Sequence, residues 1–485
     1  MKFVEMMTTN DTVTDNGALT NSTSSSFCLD LFFLAGACRR VDKEDIEMSL
    51  MKSYSEDRLK TLKIIFWAGD IRQGAGERRF FKIALNWLNK NHPEDFNLNM
   101  ELVPEYSRWD TLFDIDNDRI IHHICAVLNS KDPSRGLLCK WLPRKVYATD
   151  KKVTETKSGN RVSKSVVKTK RLLHNGIATK IMSKLGLTPK QYRKLLVEGT
   201  KVVEQKMCAK QWNTINYEQV PSVAMHKYNK AWYRNDGERF TKYIQEVNKG
   251  EKKINASAIF PHDIIKQHIM DGYLSEAEIT QWNNLPNYLE GKTNSIIPVC
   301  DVSSSMWGLP IQICIALGLY ISERNIGPFK NAFITFSGTP NFQYLKGGVG
   351  ARIRQMHRAH WGCNTNITNV FQLILKKGIK YHLPQEEMPK TVLIISDMEF
   401  DECGDMSNFE YIKQAYKDSE YRLPNIVFWN VNGRVGNVPV KMNEQGVALI
   451  SGASPSIIKA VLSNEINPVS IMNKVIESER YTSIK

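Results

Sequence analysis

The stretch SIIPVCDVSSSM, residues 295–306, decides how the C-terminal part of the chain folds. A short apolar run leads without a break into Asp301, and Ser303 and Ser305 follow at alternate positions. A short, mostly apolar and β-branched run is typical of a strand that is buried on both faces. The sequence therefore predicts a buried strand with three oxygen-bearing side chains placed directly at its carboxyl end.

Four more runs of this kind follow, and helical segments separate them. They are NAFITFS (331–337), TVLIIS (391–396), NIVFWNV (425–431) and GVALIS (446–451). Alternating strands and helices predict a doubly wound, mostly parallel, Rossmann-like sheet with right-handed crossovers. A ligand site in such a sheet lies at the carboxyl ends of the strands, where the strand order reverses. We therefore predict an α/β domain over residues 291–485.

The preceding part of the chain has helical periodicity. In RLKTLKIIFWAGDIR (58–72) and in YRKLLVEGTKVVEQKM (192–207), apolar residues recur on one helical face. Such faces need partner helices, so residues 1–290 are predicted to form an all-α domain of stacked, HEAT-like helix pairs, with an N-terminal segment over residues 1–43. The chain is thus expected to be multidomain, with an α part followed by an α/β part.

Composition limits the class of protein. The 485 residues are 42% hydrophobic and 24% charged, which is ordinary globular usage. No apolar run reaches the roughly 20 residues that a membrane-spanning helix needs, and the N-terminus lacks a signal-peptide pattern. Nine cysteines occur without a CxxC pair, which favours reduced thiols. We therefore expect an intracellular, cytoplasmic protein with no membrane partner.

The net charge of +14 is concentrated in one segment. Residues 291–485 carry +4 and residues 1–290 carry +10. Eleven Lys and Arg lie between Lys140 and Arg171 against only two acids, and residues 146–172 are predicted to form a basic, exposed loop. Clustered basic residues attract phosphates, although a loop that is basic for solubility explains the pattern equally well. The candidate nucleic-acid contacts are Lys151, Lys152, Lys157, Arg161, Lys164, Lys168, Lys170 and Arg171.

Three predicted loops carry the residues that suggest chemistry. They are DVSSSM (301–306), GCNTNIT (362–368) and SDMEFD (396–401). Their carboxylates and hydroxyls form an oxygen-only set, which selects a hard cation and suits Mg²⁺ or Mn²⁺ better than Ca²⁺. Ser304 lacks the Gly-x-Ser-x-Gly elbow and a histidine base, so a serine nucleophile is not predicted. No catalytic residue is assigned, and the chain is not expected to be an enzyme.

These motifs resemble the metal-ion-dependent adhesion site of von Willebrand factor A domains. The resemblance implies that Ser303, Ser305 and Thr365 bind the metal directly and that Asp301 and Asp397 bind it directly or through water. Thr365 is chosen over Thr368 because related loops place the threonine two residues before an apolar helix-starting position, here Ile367.

The third loop departs from that family, which often has Asp-Gly at this point. Here Met398 follows Asp397, and a second acid, Asp401, lies nearby, so it is less certain which acid of the third loop is the metal ligand. A metal-free A-like domain in which Asp301 only accepts backbone hydrogen bonds is the alternative.

The helical part is similar to a two-domain family related to the TROVE proteins. The similarity lies in GDIRQGAGERRFF (69–81), YSRWDTLF (106–113) and INYEQVPSVAMHKYNKAWYRNDGERF (215–240), followed by an A domain. It implies a ring of helical repeats that binds structured or single-stranded RNA. Taken one by one, these motifs are also explained as a glycine turn at Gly74 and Gly76 and as a local ion pair of Arg108 with Asp110.

Two main functional hypotheses follow. The first is a non-enzymatic RNA-binding protein with a Mg²⁺ ion in its α/β domain. The alternative is a protein-interaction scaffold, in which an acidic residue of a partner completes the metal site. A metal-dependent hydrolase is a third class, but the sequence offers it neither a general base nor a second metal site.

Overall fold

The computed structural model describes residues 10–145, 164–291, 295–359, 365–403, 406–462 and 466–485. Contacts divide the chain into two compact units. The first unit comprises Met1–Ala84 with Tyr217–Ile484, and the second comprises Leu85–Asn216 with Lys485. These units group residues by contact and not by element type, so the predicted boundary between residues 290 and 291 stays a prediction.

The first unit contains a six-stranded sheet and a two-stranded hairpin. The strands are β1 (Thr12–Val13), β2 (Leu19–Thr20), β3 (Ile296–Asp301), β4 (Ala332–Phe336), β5 (Phe342–Tyr344), β6 (Thr391–Ser396), β7 (Asn425–Asn430) and β8 (Val447–Ser451). The large sheet has the order β5-β4-β3-β6-β7-β8 and is parallel except for the β4–β5 pair. The five predicted strands are confirmed, and the strand order reverses between β3 and β6.

Helices form most of the remaining described chain. Their bounds are α1 Phe27–Ala35, α2 Lys43–Glu56, α3 Arg58–Gly69, α4 Arg78–Asn91, α5 Pro93–Asn99, α6 Val103–Tyr106, α7 Asp118–Asn129, α8 Arg135–Trp141, α9 Lys164–Leu185, α10 Pro189–Gly199, α11 Val203–Cys208, α12 Ser222–Lys227, α13 Asn229–Asn248, α14 Pro261–Asp271, α15 Glu276–Asn283, α16 Leu309–Arg324, α17 Val349–His357, α18 Ile367–Tyr381, α19 Asn408–Lys417, α20 Ile458–Val461 and α21 Pro468–Ile476. A helical N-terminal region and a C-terminal mixed, mainly parallel sheet are therefore both present. In the described ranges, no helix is both long and apolar enough to cross a membrane.

Helix α1 joins the N-terminal segment to the sheet. Seven of its nine residues are buried and apolar, as expected of a helix that packs on more than one face, whereas Phe27 is exposed and Asp30 is half-buried. The Phe32 ring lies 4.3 Å from the Trp67 ring of α3, and the Ser451 hydroxyl of β8 donates to the Phe32 carbonyl at 2.7 Å. Gly36 permits this close approach, because a Cβ there would lie 2.7 Å from the Gly452 nitrogen.

Two expectations about the second unit need correction. The helix expected over residues 192–207 is broken: α10 ends at Gly199, the Thr200 hydroxyl donates back to the Leu196 carbonyl at 2.6 Å, and α11 begins at Val203. The basic loop expected over residues 146–172 is also revised, because Lys164 already begins helix α9. Residues 146–163 lie outside the described residues.

The motif YSRWDTLF has a local structural role in the second unit. The guanidinium of Arg108 donates two hydrogen bonds to the Asp110 carboxylate, at 2.9 and 2.7 Å. The same guanidinium stacks 3.8 Å from the Trp141 ring centroid. This arrangement agrees with the local ion pair considered for the motif.

A buried histidine at the start of α14 predicts an acid-sensitive fold. Burial lowers the pKa of His262 to about 4, and the positive charges of Arg39 and Lys266 act in the same direction against that of Asp263. An unfolded histidine takes up a proton near pH 6.5, so the unfolded state binds more protons below that pH. We expect the free energy of unfolding to fall by roughly 3 kcal/mol between pH 6.5 and 4 through this group.

The measurement is thermal unfolding of the full chain from pH 7 to 4 for three proteins. His262→Gln should flatten the loss of Tm relative to the wild type, whereas His357→Gln, at an exposed position, should not. An unchanged pH profile in His262→Gln would contradict the assignment.

Candidate metal centre

The candidate site begins at the adjacent ends of β3 and β6. Asp301 is the last residue of β3, and Asp397 follows β6 directly. The register pairs Cys300 with Ile395, so Asp301 lies level with Ser396, and Asp397 is the next residue along the neighbouring chain. The sequence therefore brings both predicted carboxylates together, because parallel strands end at one edge of the sheet.

Hydrogen bonds fix the first carboxylate and the two serines. Asp301 Oδ2 accepts from the Ser396 hydroxyl at 2.6 Å, and Asp301 Oδ1 accepts from the Ser303 backbone N–H at 2.9 Å. The Ser303 and Ser305 hydroxyl oxygens lie 3.0 Å apart. The Ser305 hydroxyl in turn lowers the pKa of Asp397, which places these two side chains close together. Four of the five predicted ligands thus form one connected cluster.

Both carboxylates of this cluster are buried, at 0% exposure for Asp301 and 3% for Asp397. Burial raises the pKa of Asp301, and the neighbouring Asp397 charge raises it further. Burial also raises the pKa of Asp397, against the lowering effect of the Ser305 hydroxyl and of the Arg40 guanidinium. Two adjacent buried acids repel each other when both are ionised, and a divalent cation offsets that cost.

The donor set of the cluster fits a hard cation. It offers two carboxylates and two hydroxyls, which are ligands that Mg²⁺ accepts together with water. It differs from sites built from His, Cys and several acids: within the described ranges, no group of three or more His, Cys, Asp and Glu is arranged to hold a metal.

Thr365, the fifth predicted ligand, is held by the third loop. Its buried hydroxyl oxygen lies 2.5 Å from the Glu399 carbonyl oxygen and 3.1 Å from Asp401 Oδ1, and the Asp401 N–H donates to the Thr365 carbonyl at 3.0 Å. Thr365 therefore contacts the loop that contains Asp397, but on its Glu399–Asp401 side. Thr368 instead donates to Asn366 Oδ1 at 2.7 Å, in the first turn of α18.

The departure at Met398 has a geometric explanation. Met398 has φ +69°, in the left-handed region that favours glycine, and its side chain is buried. Its N–H donates to the Ser396 hydroxyl at 3.0 Å. The backbone here is thus the one that the Asp-Gly pattern would favour, and a methionine in it costs about 1–2 kcal/mol. Such strain persists where the surrounding contacts impose it.

Residues of the N-terminal segment cover the third loop, a contact that sequence reasoning missed. The Thr14 hydroxyl donates to the Phe400 carbonyl at 2.7 Å, and the Asp15 N–H donates to Glu399 Oε2 at 2.6 Å. The Asn16 amide donates to the Glu399 carbonyl at 2.8 Å and to the Thr365 hydroxyl at 3.0 Å. The sequence Asp-Asn-Gly at residues 15–17 predicts a turn, but it does not indicate that this turn contacts the third loop.

The other side of the cluster is covered by Arg40. Its guanidinium donates to the Trp307 carbonyl at 2.7 Å and to the Ser305 carbonyl at 3.3 Å. The Trp307 side chain is 79% exposed. Arg40 therefore lies on the loop that carries Ser305 and lowers the pKa of Asp397, and an exposed aromatic side chain ends that loop.

The predicted nucleic-acid contacts are placed only in part. Lys151, Lys152, Lys157 and Arg161 lie outside the described residues. Lys164, Lys168, Lys170 and Arg171 lie in helix α9. The sequence reasoning stopped at Arg171 and missed the basic residues that follow, from Lys180 to Lys210.

Comparisons with known proteins give two family matches, a similar viral protein and a weak structural likeness. A family model described as domain of unknown function (DUF7788) matches residues 295–482. The uncharacterized protein L728 of Acanthamoeba polyphaga mimivirus is 28% identical over 498 residues, which span 96% of this chain and 87% of that protein.

A crystal structure of the RO (RSR) protein of Deinococcus radiodurans aligns with 90% of this chain and 91% of its own, at 14% identity and a TM-score of 0.33. A likeness that weak carries no inference about fold or function.

The second family match covers the helical residues and the segment that packs on the sheet. This model, described as domain of unknown function (DUF2828), matches residues 14–115 and 121–294, which is more than half of the chain. The chain therefore belongs to the DUF2828 family.

Proposed function

We propose that the chain is a non-enzymatic RNA-binding protein whose second unit holds the RNA. The observation that carries this proposal is charge. Between Lys140 and Lys210 there are nineteen Lys and Arg against four Asp and Glu. A net charge of +15 over about seventy residues attracts a phosphate backbone, because each contact releases condensed counterions.

The described side chains of this segment support a binding surface. All of the following are exposed: Lys180, Lys184, Lys190, Arg193, Lys194, Lys201, Lys206 and Lys210. Acids neutralise few of them: Lys180 lies 3.1 Å from Asp118, and Lys194 lies 3.6 Å from Glu198. Exposed pairs of this kind are weak, so the basic charge stays open to a polyanion.

Charge reversal on α10 tests the RNA proposal. Lys190→Glu, Arg193→Glu and Lys194→Glu together should weaken binding of a 20-nucleotide single-stranded RNA by at least about tenfold at 100 mM salt, and they should flatten its salt dependence. Fluorescence anisotropy over a salt series measures both effects.

The matched control reverses three exposed lysines on α18, with Lys376→Glu, Lys377→Glu and Lys380→Glu. It changes net charge by the same amount outside the basic segment and should change affinity little. RNA affinity that is insensitive to salt, or equal in both triple variants, would refute the proposal.

We further propose that the α/β part is a von Willebrand factor A-like domain that holds Mg²⁺ or Mn²⁺, and that the helical part is HEAT-like. The doubly wound order and the clustered acids support the metal site. Asp301, Ser303, Ser305, Thr365 and Asp397 would hold the ion. When bound, the ion supplies an electrophilic position for an oxygen ligand.

Metal binding can be tested by the direction in which a variant changes the Tm. Replacing Asp301→Asn removes one of two repelling acids, so it should raise the Tm of the metal-free protein and abolish the further rise that Mn²⁺ or Mg²⁺ produces in the wild type. Ser303→Ala should weaken binding of the ion by about tenfold or more, as measured by calorimetry. Ser304→Ala, at an exposed neighbouring position, is the control. Absence of ion uptake by the wild type would end the metal proposal.

One observation favours the alternative function, binding of an acidic protein partner at this site. Exposed Trp307 and the Arg40 guanidinium flank the cluster, and Trp and Arg dominate binding energy at protein interfaces. In that case Asp301→Ala should abolish metal-dependent binding of an acidic peptide and leave RNA affinity unchanged. Loss of RNA binding in the same variant would instead tie the metal site to the RNA.

A further inference from the structure

A cleft in the first unit lies on a motif that the proposed function does not use. It has a volume of about 740 Å³ and is formed by the end of α12, the start of α13 and the segment from α14 to α15. The motif is INYEQVPSVAMHKYNKAWYRNDGERF (215–240). This volume lies in the range of small-molecule sites.

Three cations line this cleft. Lys227 ends α12, and Lys230 and Arg234 lie one turn apart on α13. All three are exposed, and within the described chain none of them has a carboxylate at salt-bridge distance. Like charges four residues apart on a helix repel, so an anionic group between them lowers the energy of the helix.

An aromatic ring stands beside the cations. Tyr273, in the turn after α14, lines the cleft and is 69% exposed. An exposed tyrosine next to basic residues is a stacking surface for a nucleobase.

The floor of the cleft carries polar groups that need partners. The Asn229 amide, in a residue that is 6% exposed, donates to the Ser275 hydroxyl at 2.5 Å, but its Oδ1 has no hydrogen-bond partner in the described structure. His226 Nδ1 is also unsatisfied and lies 3.8 Å from Glu278 Oε1. Burial lowers the pKa of His226, so this histidine adds no positive charge at neutral pH.

The polar groups on the floor of the cleft are mainly hydrogen-bond acceptors. Glu278 Oε2 already accepts from the Ser275 N–H and hydroxyl, at 2.8 and 2.7 Å, which leaves Oε1 as an acceptor beside Asn229 Oδ1. An unsatisfied buried acceptor destabilises the fold, and an N–H group of a ligand would satisfy it.

We propose that this cleft binds a nucleoside phosphate whose base carries an amino group. The phosphate lies against Lys227, Lys230 and Arg234, the base stacks on Tyr273, and its amino N–H groups donate to the floor. The ligand is either a free nucleotide or one nucleotide of a single-stranded RNA, since both present the same groups. This site is separate from the basic segment of the second unit and does not depend on it.

Equilibrium binding of mononucleotides to the full chain tests the proposal. CMP should bind more tightly than UMP, and AMP more tightly than IMP, by about tenfold in each pair, because each pair differs in the amino group. Cytidine without phosphate should bind at least about tenfold more weakly than CMP. A four-nucleotide oligocytidylate is the second probe, and tighter binding of it than of CMP assigns the site to an RNA strand.

Variants separate this site from the RNA surface. Lys230→Glu with Arg234→Glu, and separately Tyr273→Ala, should each weaken CMP or oligocytidylate binding by about tenfold. These side chains are exposed, so the fold should tolerate the changes. Lys190→Glu with Lys194→Glu, two of the changes that reduce binding of the 20-nucleotide RNA, should leave CMP binding unchanged.

Three results would overturn the proposal: no binding of CMP, AMP or oligocytidylate by the wild type, equal binding by the cleft variants, or equal affinity for CMP and UMP. Each of them leaves the RNA proposal for the second unit standing. If the wild type bound CMP but not the 20-nucleotide RNA, the RNA proposal for the second unit would be refuted and the cleft proposal would stand.

Discussion

Parallel pairing of β3 with β6 is the constraint on which the candidate metal centre depends. Both strands are buried along their whole length, and a slip of one residue would turn every side chain to the other face. Their register therefore places Asp301 level with Ser396, whose hydroxyl donates to the Asp301 carboxylate, and it brings Asp397, the next residue, close to Asp301. The sheet thereby holds two acids in a buried position that disfavours their ionised forms, and this electrostatic cost is what a bound cation removes.

Apolar, β-branched runs made the five buried strands predictable, whereas the short exposed strand and the contacts between distant residues could not be predicted. Strand β5, Phe342–Tyr344, lies largely exposed and so leaves no apolar pattern. Pro298 argues against a central strand, because proline lacks an N–H, yet the β3–β4 ladder begins only at Val299. The DxSxS cluster was readable because its members are close in sequence. The left-handed backbone at Met398 was not, because the methionine gives no sign of it.

The helical part shows the same division between local signals and tertiary ones. Apolar periodicity found the helices on either side of Thr200 but not the break between them, since Val202 and Val203 continue the pattern. Helix α1 is rich in apolar residues, but its partners in β8 are more than 400 residues away in sequence. No pattern in a single sequence encodes a contact between such distant residues. For the same reason the contact of residues 14–16 with the third loop could not be predicted.

The cover changes what the candidate centre can bind. Asn16 occupies the Thr365 hydroxyl on one side, and Arg40 lies on the Ser305 and Trp307 carbonyls on the other. Arg40 lowers the pKa of Asp397, so it already supplies part of the positive charge that a metal would bring. An incoming ligand would therefore meet a guanidinium as well as the ion. Because both are positive, they favour an anionic oxygen ligand over a neutral one. In the proposed metal centre, the N-terminal segment would thus influence the charge preference together with the sheet.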